Sequence, residues 1–294
     1  MKRLILTSAV LLVSLMTQAQ TKMAAKLTNG FKAVYTEEQT VETGGTAFTI
    51  ASEEEYAVSN VTPTGAVITV TTTKVTSDAK EMQAQLVLMP IQMMKGISVR
   101  LATDADGKVK NILNGDEVRK AAKAKLGTLV DKFLADNEEV AQMLSKDMLI
   151  EQVSSRLEDN ETLLEAIKES GVLKLNGKQL SNGATEKVEQ EGLRLKSMYF
   201  VMGKNVVVNT SLDMTKDELK AVIIKKVEEE APEQAEIVKE NIDMLMGQMK
   251  FEMTAKSTIT LGDNGWPTSI KKEMSSDIMG QSSKQTSVIK LVKN

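Results

Sequence analysis

The chain contains no cysteine and no histidine. The first absence excludes disulfides, thiol nucleophiles and the lipid-modified cysteine that anchors bacterial lipoproteins. The second removes the usual general base of catalytic triads and the commonest zinc ligand. Aromatic residues make up 3% of the chain against 18 methionines. The core is therefore expected to be aliphatic, with Met filling irregular gaps. The net charge is −3 and both signs are interspersed. That leaves no long basic stripe to track phosphates, so no nucleic-acid partner is expected. Beyond the N-terminus no segment has the roughly 18 uncharged apolar residues of a spanning helix.

What is present begins with an address. Residues 1–19 read "MKRLILTSAVLLVSLMTQA". Lys2 and Arg3 form a basic start, Leu4 to Leu15 an apolar core, and Thr17 and Ala19 the small-residue end of a cleavage site. This is the anatomy of a cleaved secretory signal peptide. The mature chain is expected to begin at Gln20 and to be soluble in the periplasm or outside the cell.

The remainder suits one α+β domain, 20–294, or two closely packed related halves, about 20–190 and 191–294. Residues 46–60 and 64–78 are rich in Thr, Val and Ile around "TPTG" and predict two strands and a turn. Ile97, Val99 and Leu101 alternate with polar neighbours, and "DADG" turns the chain back through 109–113. From Asp116 to about Ser170 the period is helical, with Val118, Ala122, Leu126, Leu129, Val130 and Phe133 recurring at helical spacing. "ADNEE" at 135–139 predicts a break, Asn160 an N-cap and Gly171 a stop. Strands are expected at 193–201 and 205–213. Thr215 and Glu218 have the spacing of a capping box, followed by a stripe of Leu219, Val222, Ile223 and Val227. Pro232 interrupts that helix before a second segment carrying Ile242, Leu245, Met246 and Met249.

From Phe251 to Leu261 the period becomes two, which points to an antiparallel strand with one wetter face. Residues 267–276 and 284–293 supply two more strands. Asn264–Gly265 reads as a two-residue hairpin turn, and Pro267 pushes Trp266 toward extended backbone. Trp266, the only tryptophan, is thus expected at a hairpin end, over the edge of the core or the mouth of a cavity. "SVRLATDADGKVKNI" and "STITLGDNGWPTSI" are similar hairpins. Their similarity reflects either an internal duplication or the ordinary chemistry of tight turns.

On "QAQ" at the signal end, "DGKVKNILNGDEV" running into helices and the late "GDNGWPTSIKKE" hairpin, the chain resembles an uncharacterised family of exported Bacteroidota proteins. That resemblance implies no activity and no catalytic residues. At the level of fold alone, a curved antiparallel sheet covered by helices is similar to the periplasmic lipoprotein carriers.

Candidate chemistry is sparse. Counting from Asp104, the calcium-loop pattern requires an oxygen ligand where Lys108 stands, Gly where Val109 stands and Glu where Gly115 stands. Ser269–Lys272 and Ser287–Lys290 match Ser-x-x-Lys, but on strands that spacing places the pair on opposite faces. "LMPIQMM" at 88–94 and "MLMGQMKFEM" at 244–253 could offer thioethers to a soft metal. They fit core packing better, with an apolar ligand cavity as the second reading. No cofactor and no metal are expected.

The sequence therefore predicts an α+β fold, a curved antiparallel sheet of eight or more strands with helices on one face. It predicts no enzyme. The functional reading is a binding or carrier protein for a lipid or other apolar ligand, with Trp266, Met246, Met249 and Met253 as candidate ligand-binding residues. The alternative is a non-enzymatic envelope interaction or structural protein with a protein partner. A gap between sheet and helices lined by Met and aliphatic side chains would favour the carrier.

Overall fold

The computed structural model describes residues 20–294 apart from 44, 155–156, 158, 169–170, 191, 231, 233–234, 249–250 and 279–280. The expected signal peptide, residues 1–19, lies outside the described residues.

Alternating apolar residues along most of the chain need a sheet that buries one face. The chain forms β1 (Thr21–Lys22), β2 (Lys32–Thr43), β3 (Thr46–Thr62), β4 (Gly65–Ser77), β5 (Ser98–Asp104), β6 (Val109–Ile112), β7 (Gln179–Leu180), β8 (Ala184–Gln190), β9 (Leu193–Met202), β10 (Asn205–Leu212), β11 (Phe251–Leu261), β12 (Pro267–Ile278) and β13 (Gln281–Lys293). Among the described residues eleven of these make one open antiparallel sheet, in the order β6-β5-β4-β3-β2-β13-β12-β11-β10-β9-β8, and β1 pairs with β7. Register shifts at Glu53/Glu54, Thr260/Leu261 and Leu291/Lys293 are bulges, which bend strands and help to curve the sheet.

Helices α1 (Met82–Met94), α2 (Gly115–Asp136), α3 (Glu138–Met143), α4 (Lys146–Ser154), α5 (Asn160–Lys168), α6 (Lys216–Glu230) and α7 (Ala235–Gln248) pack on the sheet. The fold is the expected α+β arrangement. Val118, Ala122, Leu126, Val130 and Phe133 are the buried stripe of α2. They join the main core with Ile68, Leu101, Val206, Ile259 and Ile270 of the sheet. A second cluster places Ala84 and Leu88 of α1 against Phe48, Ile50 and Val75. A third holds Leu219, Ile242 and Met246 between α6 and α7.

The capping box forms as expected. The Glu218 amide donates to Thr215 Oγ1 at 3.2 Å and the Thr215 amide to Glu218 Oε2 at 2.8 Å. Hydrogen bonds from Arg194 and from the Thr215 amide and hydroxyl hold the Glu218 carboxyl down to about 2. Two local expectations are corrected. Asp159, not Asn160, caps α5, because its Oδ1 accepts the Thr162 amide at 2.7 Å; Asn160 instead accepts from Arg119. The hairpin at Asn264 is not a two-residue turn. Gly262 and Trp266 pair across three residues, with Gly265 at φ +77°, the three-residue loop in which glycine supplies the left-handed position. The Asp104–Lys108 loop is closed in the same way, with Gly107 at φ +79°.

The two similar hairpins occupy like places in the topology. Three strands, a helical insertion and then a hairpin occur as β2-β3-β4-α1-β5-β6 and again as β8-β9-β10-α6-α7-β11-β12. The 190/191 boundary falls in the connection between β8 and β9, which pair with each other.

Strands β2 and β8 and helix α1 were not anticipated. Glu37 and Gln39 interrupt the apolar phase of β2, and α1 is apolar on nearly every side, so neither shows a clean period.

Candidate functional site

A cavity of about 310 Å³ lies between the sheet and the helices, at the small end of ligand pockets. Met93 and Met94 of α1, Leu163 and Ile167 of α5, and Val70 and Val99 of the sheet give it apolar walls. Its floor is polar. Glu37 and Gln39 come from β2, Ser52 and Glu54 from β3 and Thr72 from β4.

Register brings these side chains together. Glu54 stands opposite Tyr35 and Thr72, and Glu37 opposite Ser52 and Ile289. Residues two apart on a strand share a face. Along β3 the inward series is therefore Phe48, Ile50, Ser52, Glu54, Tyr56 and Val58, of which the four apolar members are buried. Along β2 it is Tyr35, Glu37, Gln39 and Val41. The polar strip continues sideways, since Gln39 faces Ser287 and Ser287 faces Lys272.

The Tyr56 hydroxyl donates to Glu54 Oε2 at 2.7 Å, and the Ser287 hydroxyl donates to Glu37. Burial pushes the Glu54 carboxyl up; the Tyr56 hydrogen bond opposes this, the Glu37 charge adds to it and Lys272 offsets part of it. Burial and the neighbouring Glu54 carboxylate also push the Tyr56 hydroxyl up, so it remains a donor. A carboxylate enclosed among apolar walls with a second carboxylate beside it is held at a cost to stability. Such groups concentrate at functional sites.

Trp266 is not at the mouth of this cavity. It is fully buried in the main core. Its ring stacks on Phe31 at 4.9 Å and meets Tyr56 edge-on at 6.2 Å. Its Nε1 donates to the Lys26 carbonyl at 3.3 Å. It meets the lining of the site at Tyr56, the residue whose hydroxyl donates to Glu54.

The structure does not bring the other candidates to the cavity either. Met246 is buried in the cluster between α6 and α7. Met253 is half-buried on β11 and does not line the cavity. Met249 lies outside the described residues. The methionines that do line it, Met93 and Met94, come from the first Met-rich run. Glu37 and Glu54 were missed. The available signal was a charged residue in the apolar phase of an alternating strand, and it is masked at Glu54 by the flanking Glu53 and Glu55.

Among the described residues no helix is long and apolar enough to cross a membrane. No family model matches the chain, and no curated protein matches it. The solved structures with a weak likeness to this chain include two. One, on lipid–protein interactions in lipovitellin, is 10% identical with a TM-score of 0.39, and the match covers 91% of this chain and 25% of that one. This chain thus spans a quarter of the lipovitellin chain. The other, Rv2717c from M. tuberculosis, is 5% identical with a TM-score of 0.27, covering 89% of this chain and 92% of that one. Likenesses this weak establish neither a shared activity nor a shared ligand.

Proposed function

We propose that this protein is an exported binding or carrier protein that holds a small apolar or amphiphilic ligand between its sheet and its helices. The supporting observation is the cavity itself, with Met and aliphatic walls over a floor of convergent polar groups, the usual composition of a small-molecule site. The flexible thioethers of Met93 and Met94 suit a wall that adapts to its occupant.

Two measurements test the reading. The uncharged dye N-phenyl-1-naphthylamine should bind the purified protein and brighten. Met94→Trp, which fills the wall, should weaken that binding by at least ~10-fold, since overpacking removes the space a ligand needs. Met253→Ala should leave it unchanged. A dye that does not bind, or that ignores Met94→Trp, would favour the envelope interaction protein instead.

Export rests on the Lys2–Ala19 signal pattern. N-terminal sequencing of the protein from its native host should begin at Gln20. An intact Met1 on cytoplasmic material would remove the export half of the proposal.

A further inference from the structure

We propose that the ligand carries an ammonium group on a short apolar chain, and that Glu54 together with Glu37 receives that cation. The inference rests on the reading of the sheet–helix cavity as a binding site and goes on to its chemistry.

An ionised carboxylate offers about four lone-pair sites and no donor. Among the described residues, Glu54 accepts one side-chain hydrogen bond, from Tyr56, and Glu37 one, from Ser287. Both side chains line the same cavity. The floor therefore presents unused acceptors to whatever occupies the space. Gln39, Ser52 and Thr72 beside them are neutral, so they add hydrogen bonds without adding charge.

Charge points the same way. Glu37 and Glu54 repel each other, and among the described residues Lys272 is the cation acting on Glu54. Among the described residues the charged side chains that line the cavity are these two carboxylates, an excess of negative charge enclosed by aliphatic walls where charges interact strongly. A monovalent cation with up to three donors would neutralise that excess and use the idle acceptors as charge-assisted hydrogen bonds. A carboxylate or phosphate head would meet like charge. An alcohol could donate one hydrogen bond but would leave the charge uncompensated. The apolar walls then require a hydrocarbon body, and a cavity of about 310 Å³ limits it to a short one.

The test uses the mature protein and three probes of equal chain length: octylamine, octanol and octanoate. Each is titrated at neutral pH as a competitor of bound N-phenyl-1-naphthylamine. Octylamine is expected to bind at least ~10-fold tighter than octanol, with octanoate weakest. In Glu54→Gln the advantage of octylamine over octanol should shrink to within ~3-fold, and Glu37→Gln should shrink it in part. Octanol or octanoate binding as tightly as octylamine would overturn the assignment of charge while leaving the cavity reading in place. Weakening of all three probes alike in Glu54→Gln would also overturn it, because Glu54 would then only shape the site. If neither the dye nor any probe binds the unaltered protein, the cavity reading fails and this inference fails with it.

Discussion

Trp266→Ala should lower stability by about 3–5 kcal/mol, the range for removing a large aromatic side chain from a core. The ring is fully buried, so its loss leaves a cavity as well as lost transfer energy. It also releases the N-terminal segment. That segment lies across the hairpin, with the Lys26 amide donating to the Asn264 carbonyl at 2.7 Å and the indole donating back to the Lys26 carbonyl. The approach is close. A Cβ on Gly265 would sit 2.2 Å from the Ala24 carbonyl oxygen. Denaturant unfolding of the two proteins measures the loss. Emission from the unaltered protein should already be blue, because the indole is out of water, and saturating octylamine should not move it. A variant that unfolds like the unaltered protein, or an emission that follows ligand, would return Trp266 to the cavity mouth.

Glu54→Gln should raise stability at neutral pH by about 1–3 kcal/mol, the usual cost of a buried polar or charged group that is poorly compensated. The sign follows from linkage. Folding raises the Glu54 pKa above its ordinary value of 4.5. Between that value and the raised one, the folded protein binds more protons than the unfolded chain. Stability therefore falls as pH rises through this window, and the penalty is complete above the folded pKa. In the variant this descent should flatten, since a glutamine does not titrate. Thermal melts from below pH 4.5 to neutral compare the two profiles. Equal stability at neutral pH, with the slope unchanged, would mean that Glu54 is compensated and that the floor is not strained. The expected gain also keeps the binding test interpretable, because Glu54→Gln should remain folded while losing its preference for the amine. A residue whose removal stabilises the protein and weakens ligand discrimination is one retained for function.

Local chemistry was legible wherever its period was clean. The strand over 251–261 is where alternation placed it, and the stripe from Val118 to Phe133 is the buried face of α2. The Thr215–Glu218 box closes as its spacing implied. In each case one segment carries both the signal and the contact. The site is different in kind. Glu54 sits in "EEEY", and only pairing with Tyr35 and Thr72 on two other strands turns the middle glutamate inward and its neighbours outward. A shift of register by one residue would have reversed them.

The sequence alone determined that a half-buried antiparallel sheet and one-sided helices would form, because periods of 2.0 and 3.6 residues are local properties of the backbone. It also determined that Trp266 would lie beside a glycine turn. Only the tertiary structure decided that Trp266 is core, since its hydrogen-bond partner Lys26 is 240 residues away. Only the tertiary structure decided that Met93 and Met94, rather than Met246 and Met253, face an open space. The physical reason is the same for both. Burial and cavities are properties of surfaces that meet, and the surfaces that meet here belong to segments far apart in the chain.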